Sequence, residues 1–235
     1  MFIYRTLRTI TPTVLTSDLL RLLNILNISI GKGSKIFRAR DSLTEEQWYE
    51  EGLWYPPIES QCKQGRFNCE GECMAYFSDS YETSKNEVTN EESTHYNGLE
   101  CVVQENEMVF AYIRIFNMNI GEIRHNKLND KIKNELKVIF HDFDSITQKK
   151  LLLVNNFFAE KMVQETNDYR YTNMIGHFIF DKYKFDGLIY PSVKSNYATN
   201  NILLPPKNAD LYVKPAFSLE ISLKSPGVSR FTMYK

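Results

Sequence analysis

The chain has 235 residues, of which 43% are hydrophobic, 24% charged and 13% aromatic, enough for one sizeable domain with a real core and unlike collagen, coiled coil or extended disorder. Twenty-eight Lys and Arg against 29 Asp and Glu give a net charge of −1, without the clustered cationic excess of a sequence-independent nucleic-acid binder. No stretch approaches the roughly 20 apolar residues of a membrane-spanning helix, and Arg5, Arg8 and Pro12 interrupt the start before a signal-peptide core forms, so a cytoplasmic protein with no membrane partner is expected.

Residues 16–28, TSDLLRLLNILNI, place Leu19, Leu22, Leu23 and Leu26 at helical spacing behind Ser17 as N-cap, and the pattern stops near Gly31 and Gly33. An amphipathic helix of this kind packs on the following domain or ends a longer helical region, so residues 1–34 are read as a helical segment ahead of a domain over 35–235. KIFRAR (35–40) reads as a strand with Arg38 and Arg40 on one face and Phe37 and Ala39 on the other. After a loop holding Pro56 and Pro57, GRFNCEG (65–71) is a turn-rich entry to the short apolar run MAYF.

Asp79 and Glu82 resemble a capping box opening a helix through Val88, on which Glu87 shares a face with Thr83 and Glu82 points away. Residues 89–107 are acidic and polar and are expected to form a solvated insertion. MVFAYIRIF reads as a strand. KKLLLVNNFFAEKMVQET reads as a helix with Leu151, Leu152, Phe158 and Met162 inward, and YTNMIGHFIFDKY as a second helix. DGLIYPS and NILLP complete the strands. Strands with interspersed helices and no strict alternation predict an α+β domain built on a mixed sheet with flanking helices.

Cys62, Cys69, Cys73 and Cys101 form no CxxC pair and have no His at zinc-finger spacing, so four ordinary thiols are expected, with no disulfide and no metal. Arg66, at a glycine-initiated bend, suits bidentate contact with phosphate oxygens; read alone it is more simply a loop arginine beside local acids, as Arg38 and Arg40 are more simply a solvated strand face. Glu87 alone is a helix-surface charge and Tyr76 a core aromatic. Ser192, at the end of a buried strand, lies where side chains reach a crevice but lacks GxSxG surroundings, and the four histidines complete no triad with it.

The order of these pieces, FRAR, Pro56 and Pro57, GRFN, Gly71, Tyr76, ETSKNE ending in Glu87, and DGLIYPS, resembles the RES domain. This bacterial family is named for its Arg, Glu and Ser, and many members are toxins of toxin–antitoxin pairs. The resemblance covers about residues 35–205 and excludes the acidic insertion and the first 34 residues. It places the family's Arg on Arg66, its Tyr on Tyr76, its Glu on Glu87 and its Ser on Ser192, with a further Arg on Arg38.

The resemblance implies a fold like that of the ADP-ribosyltransferases and an enzyme that cleaves the nicotinamide–ribose bond of NAD, consumed as substrate with no separate cofactor. In this reading Glu87 steadies the oxocarbenium-like ribose, Arg66 and Arg38 hold the diphosphate, and Tyr76 stacks on a ring. Asn68 contacts substrate and Ser192 bonds the nicotinamide or ribose region. It leaves room for a cognate antitoxin and a homodimer. Transfer of ADP-ribose to protein, and a non-catalytic module binding a nucleotide or partner, are the rival readings.

Overall fold

A computed structural model describes residues 26–41, 53–56, 62–90, 95–104, 108–113, 143–163, 169–222 and 227–234. Its strands are β1 (Leu26–Ile30), β2 (Lys35–Asp41), β3 (Ala75–Ser78), β4 (His95–Val103), β5 (Met108–Tyr112), β6 (Gly187–Pro191), β7 (Asn200–Leu204), β8 (Val213–Ser222) and β9 (Gly227–Met233). The helices are α1 (Tyr81–Val88), α2 (Ser145–Val163), α3 (Arg170–His177), which runs into a π-turn over Phe178–Lys182, and α4 (Pro206–Tyr212). Among the described residues these strands form one sheet in the order β1-β5-β6-β7-β3-β2-β4-β8-β9. Only the β5–β6 pairing within it is parallel. The expected α+β class with a mixed sheet is therefore observed.

Side-chain alternation builds a core on each face of the sheet. Phe77, Phe110, Tyr112, Ile189, Ile202 and Leu204 enter one core. Ala111, Leu188, Tyr190 and Leu203, their neighbours along the same strands, enter the other with Val154 and Phe157 of α2 and Ile175 of α3. Strands β6 and β7 are buried along their whole length, which is why GLIYP and NNILL carry near-continuous apolar runs.

Several expectations need correction. Over residues 26–28 the expected leucine-rich helix gives way to β1, whose Ile28 and Ile30 alternate into the core and whose backbone pairs antiparallel with β5. Residues 1–25 lie outside the described residues. The segment read as a solvated insertion contains β4, which is paired with β2 on one side and β8 on the other and is buried from Tyr96 through Cys101. Leu99, Cys101 and Val103 alternate into the core. Its polar members are accommodated, with Glu100 meeting Lys35 at 2.7 Å.

Helix α1 is capped by Ser80, whose side chain accepts from the Thr83 amide at 3.1 Å, in place of the expected capping box. Asp79 instead receives the backbone and side-chain N–H groups of Asn200 at 2.9 and 2.8 Å, tying the start of α1 to β7. Glu82 stands free of the cap and meets Lys85 at 3.5 Å. Cys62 and Cys73 are joined in a disulfide, contrary to the four thiols expected, because the turn between them folds back and brings their Cα atoms to 5.3 Å. The inward Leu151, Leu152, Phe158 and Met162 expected on α2 lie outside the described side chains. Strands β8 and β9 and helix α4 have no counterpart in the sequence reading.

Candidate active site

The site begins where the sheet opens. Strands β2 and β3 share a single registered pair, Phe37↔Ser78, whereas β2 pairs with β4 along its whole length. The Arg38 guanidinium fills the gap, donating from Nη1 to the Tyr76 carbonyl at 2.8 Å. Two residues on, Arg40 donates from Nη2 to the Trp54 carbonyl at 3.1 Å. A cavity of about 580 Å³, of a size that holds a small-molecule ligand, is lined here by Arg38, Arg40, Asn68, Tyr76, Glu87 and Asn201, among others.

Both guanidiniums are short of partners. The Nε atoms of Arg38 and Arg40 are buried without hydrogen bonds, and among the described residues neither arginine meets a carboxylate. Burial and, second to it, the charge of Arg40 pull the Arg38 guanidinium down to about 9. Burial lowers Arg40 as well. Uncompensated buried cations are costly, and an anion in the cavity would relieve that cost.

Helix α1 supplies the opposing charge. Thr83 is buried and donates through its hydroxyl to Thr199 at 2.7 Å, which fixes the rotation of the helix and turns Glu87, one helical turn on, toward β7. Ser192 Oγ donates to Glu87 Oε1 at 2.6 Å and Asn201 Nδ2 donates to the same oxygen at 2.8 Å. These donors offset the unfavourable position of a carboxylate in the last turn of a helix. Because both bonds fall on Oε1, Oε2 keeps its lone pairs. Asn201 is itself oriented by Ser78, whose hydroxyl donates to its Oδ1 at 2.9 Å.

Ser192 is fully buried and acts from behind Glu87, without lining the cavity. It also anchors the turn after β6, where its Oγ accepts from the Ser195 amide at 3.2 Å. That turn carries Asn196 and Tyr197 at positive φ.

The GRFN turn closes on an antiparallel bridge between Gly65 and Asn68. Tyr76 pins it, donating its hydroxyl to Asn68 Oδ1 at 2.6 Å and accepting from the Phe67 amide at 3.3 Å. Burial pushes the Tyr76 hydroxyl far above the usual phenol range. Asn68 Nδ2 donates to the carbonyls of Lys63, Cys69 and Glu72, so the residue expected to contact substrate has both ends of its amide engaged within the turn. Arg66 does not line the cavity. Its guanidinium lies 5.5 Å from the centre of the Tyr169 ring, and its charge acts on Tyr76 and Tyr190, both of which do line it.

Of the residues singled out from sequence, the cavity thus gathers Arg38, Tyr76, Asn68 and Glu87, holds Ser192 behind Glu87 and leaves Arg66 to one side. Sequence reasoning missed Asn201 and Ser78. The signal for Asn201 was the amide pair Asn200 and Asn201 opening an otherwise apolar buried strand, since a buried amide demands partners.

With this geometry in place, comparison with known proteins is decisive for the family. The sequence profile of the RES domain matches residues 35–223. The chain belongs to the RES domain family. The match takes in every RES-type residue named above, together with β2 through β8. No curated protein matches the chain. Among solved structures, a chain of the crystal structure of the M. tuberculosis MbcT–MbcA toxin–antitoxin complex is similar to it, with 12% identity, a TM-score of 0.47, and coverage of 88% of this RES chain and 94% of that one. Among the described residues no helix is long and apolar enough to cross a membrane.

Proposed function

We propose that this RES domain consumes NAD by cleaving the bond between nicotinamide and ribose. The observation that carries the reading is a buried guanidinium, Arg38, and a half-buried one, Arg40, which meet no carboxylate among the described residues and share a cavity with Glu87, whose Oε2 accepts no bond among them. A dinucleotide fits both: its diphosphate takes the cations and its ribose takes the carboxylate. As the C1′–N bond breaks, its electron pair leaves with nicotinamide and positive charge develops on the ribose. Glu87 Oε2 stabilises that charge or holds a ribose hydroxyl, while Ser192 and Asn201 keep Oε1 in place. Water then supplies oxygen to C1′ and loses its proton to solvent.

Tyr76 presents a half-buried ring at the cavity wall and Arg66 adds positive potential from its side. Family membership supports the same chemistry, and a cognate antitoxin is the partner this reading carries with it. Incubation of the purified chain with NAD, followed by chromatography, is expected to yield nicotinamide and ADP-ribose in equal amounts. Replacement of ADP-ribose by its 1″-phosphate when phosphate is added would make phosphate the acceptor, and a mass-shifted protein would make it a protein. Binding of NAD without release of nicotinamide would overturn the enzyme reading.

A further inference from the structure

At the edge of the cavity, where Glu72 is among the lining residues, the far end of the GRFN turn meets the end of α3. There Cys69, Glu72 and His177 bring one potential ligand atom each to within 4.8 Å of one another. His177 Nε2 is 3.6 Å from Cys69 Sγ and 3.5 Å from Glu72 Oε1. Two ligand atoms placed tetrahedrally at roughly 2.0–2.3 Å from a zinc ion stand roughly 3.3–3.8 Å apart, and both of these separations fall in that range.

Each ligand is also held by its other end. Glu72 Oε2 accepts from the Cys69 amide at 2.7 Å, leaving Oε1 available. His177 Nδ1 is 3.2 Å from Asp181 Oδ2, the carboxylate–histidine arrangement that orients the ring of a metal-ligating histidine. Asn173 adds an observation from outside the cluster. It is 3% exposed, its Nδ2 sits 3.7 Å from Cys69 Sγ, and its Oδ1 is buried without a partner. Exchanging the two ends of that amide presents the oxygen to the same point.

We propose that Cys69, Glu72 and His177 form a zinc site that fastens the GRFN turn to α3. The thiol, carboxylate and imidazole set suits a borderline-soft divalent ion better than magnesium or calcium, which prefer oxygen alone. Binding displaces the Cys69 thiol proton to solvent and leaves the fourth position to water or Asn173. The ligands escape a reading by spacing because two lie in one turn and the third about a hundred residues later.

The test uses the full chain, stripped with chelator and kept free of thiol reductant so that the Cys62–Cys73 bridge stays closed. Titration with zinc alone, in competition with a chromogenic chelator, is expected to give one equivalent per chain and a rise in melting temperature. Cobalt in its place is expected to show thiolate charge-transfer absorption. Cys69→Ser and His177→Ala should each lose the stoichiometric site, and Asp181→Asn should weaken it about 10-fold or more. Cys101→Ser should leave it unchanged. His177 is exposed, so its alanine variant keeps the fold even if Cys69→Ser does not. Absence of stoichiometric zinc in the folded chain, or a site that survives His177→Ala, overturns the proposal.

Discussion

The hydroxyl of Ser192 donates to Glu87 at 2.6 Å across 105 positions of sequence, and both residues close the same turn-and-helix junction beside β7. Glu87 is exposed along the helix but accepts from two buried donors, and it carries the carboxylate role in the proposed chemistry. We predict that Glu87→Ala abolishes nicotinamide release and, by leaving the buried donors of Ser192 and Asn201 without their acceptor, lowers stability by about 1–3 kcal/mol. Ser192→Ala, which leaves Asn201 on the carboxylate, is expected to lower kcat about 10-fold, the equivalent of about 1.4 kcal/mol. Rates measured by nicotinamide chromatography beside thermal unfolding decide the matter; full activity in Glu87→Ala would falsify the assignment.

Arg38 is a different case, because the folded chain bears its buried charge at a cost. Arg38→Met is predicted to raise stability by about 1–3 kcal/mol while abolishing NAD turnover. In a domain of this size that corresponds to about 2–4 °C in Tm for each kcal/mol. A scan of melting temperature with and without NAD checks both halves, and a variant that is less stable and fully active would remove Arg38 from the anion site.

The same guanidinium predicts an alkaline limit. Below about pH 9 Arg38 is protonated in the folded chain, the form proposed to bind the diphosphate. Above it the folded chain loses this proton while the unfolded chain, with an ordinary arginine, keeps it. By linkage this group alone makes folding more favourable as pH rises, whereas NAD affinity falls, by up to about 10-fold per pH unit. Equilibrium binding of NAD between about pH 8 and 10.5 tests this. An affinity that is flat over that interval contradicts it.

Gly65 has its role in close approach. A Cβ there would meet Asn68 Oδ1 and stand 2.6 Å from the Tyr76 hydroxyl, the two groups whose hydrogen bond fixes the GRFN turn. Gly65→Ala should therefore destabilise the protein by about 2 kcal/mol, lowering Tm by about 4–8 °C, and should weaken NAD binding with it. Gly31→Ala, with nothing within 4 Å of its Cβ, is the control expected to be neutral. Equal melting temperatures for the two variants would show that the turn is not held in this way.

Much of the site was legible because its residues sit at places with local signatures: a glycine-led turn, a helix with one acidic face toward β7, and the end of an apolar strand. Elements whose structure depends on distant partners were not. Strand β4 looked solvated because Asn97 and Glu100 are polar, but the sheet closes over both sides of it and Lys35 neutralises the glutamate. The disulfide was invisible because spacing alone does not reveal that the turn folds Cys62 back onto Cys73. Asn201 was missed since its partners, Ser78 and Glu87, lie more than a hundred residues earlier.

The position of β7 has a further consequence. It is inserted between β3 and β6, so although β2 and α1 can rest on β4, the donor that β7 sends to the Glu87 carboxylate is missing until residue 201 has been made. A nascent chain still short of that point lacks Asn201, and one short of residue 192 lacks Ser192 too. Under the proposed function, an emerging polypeptide would thus gather its cations before it fixes the carboxylate that acts on the sugar.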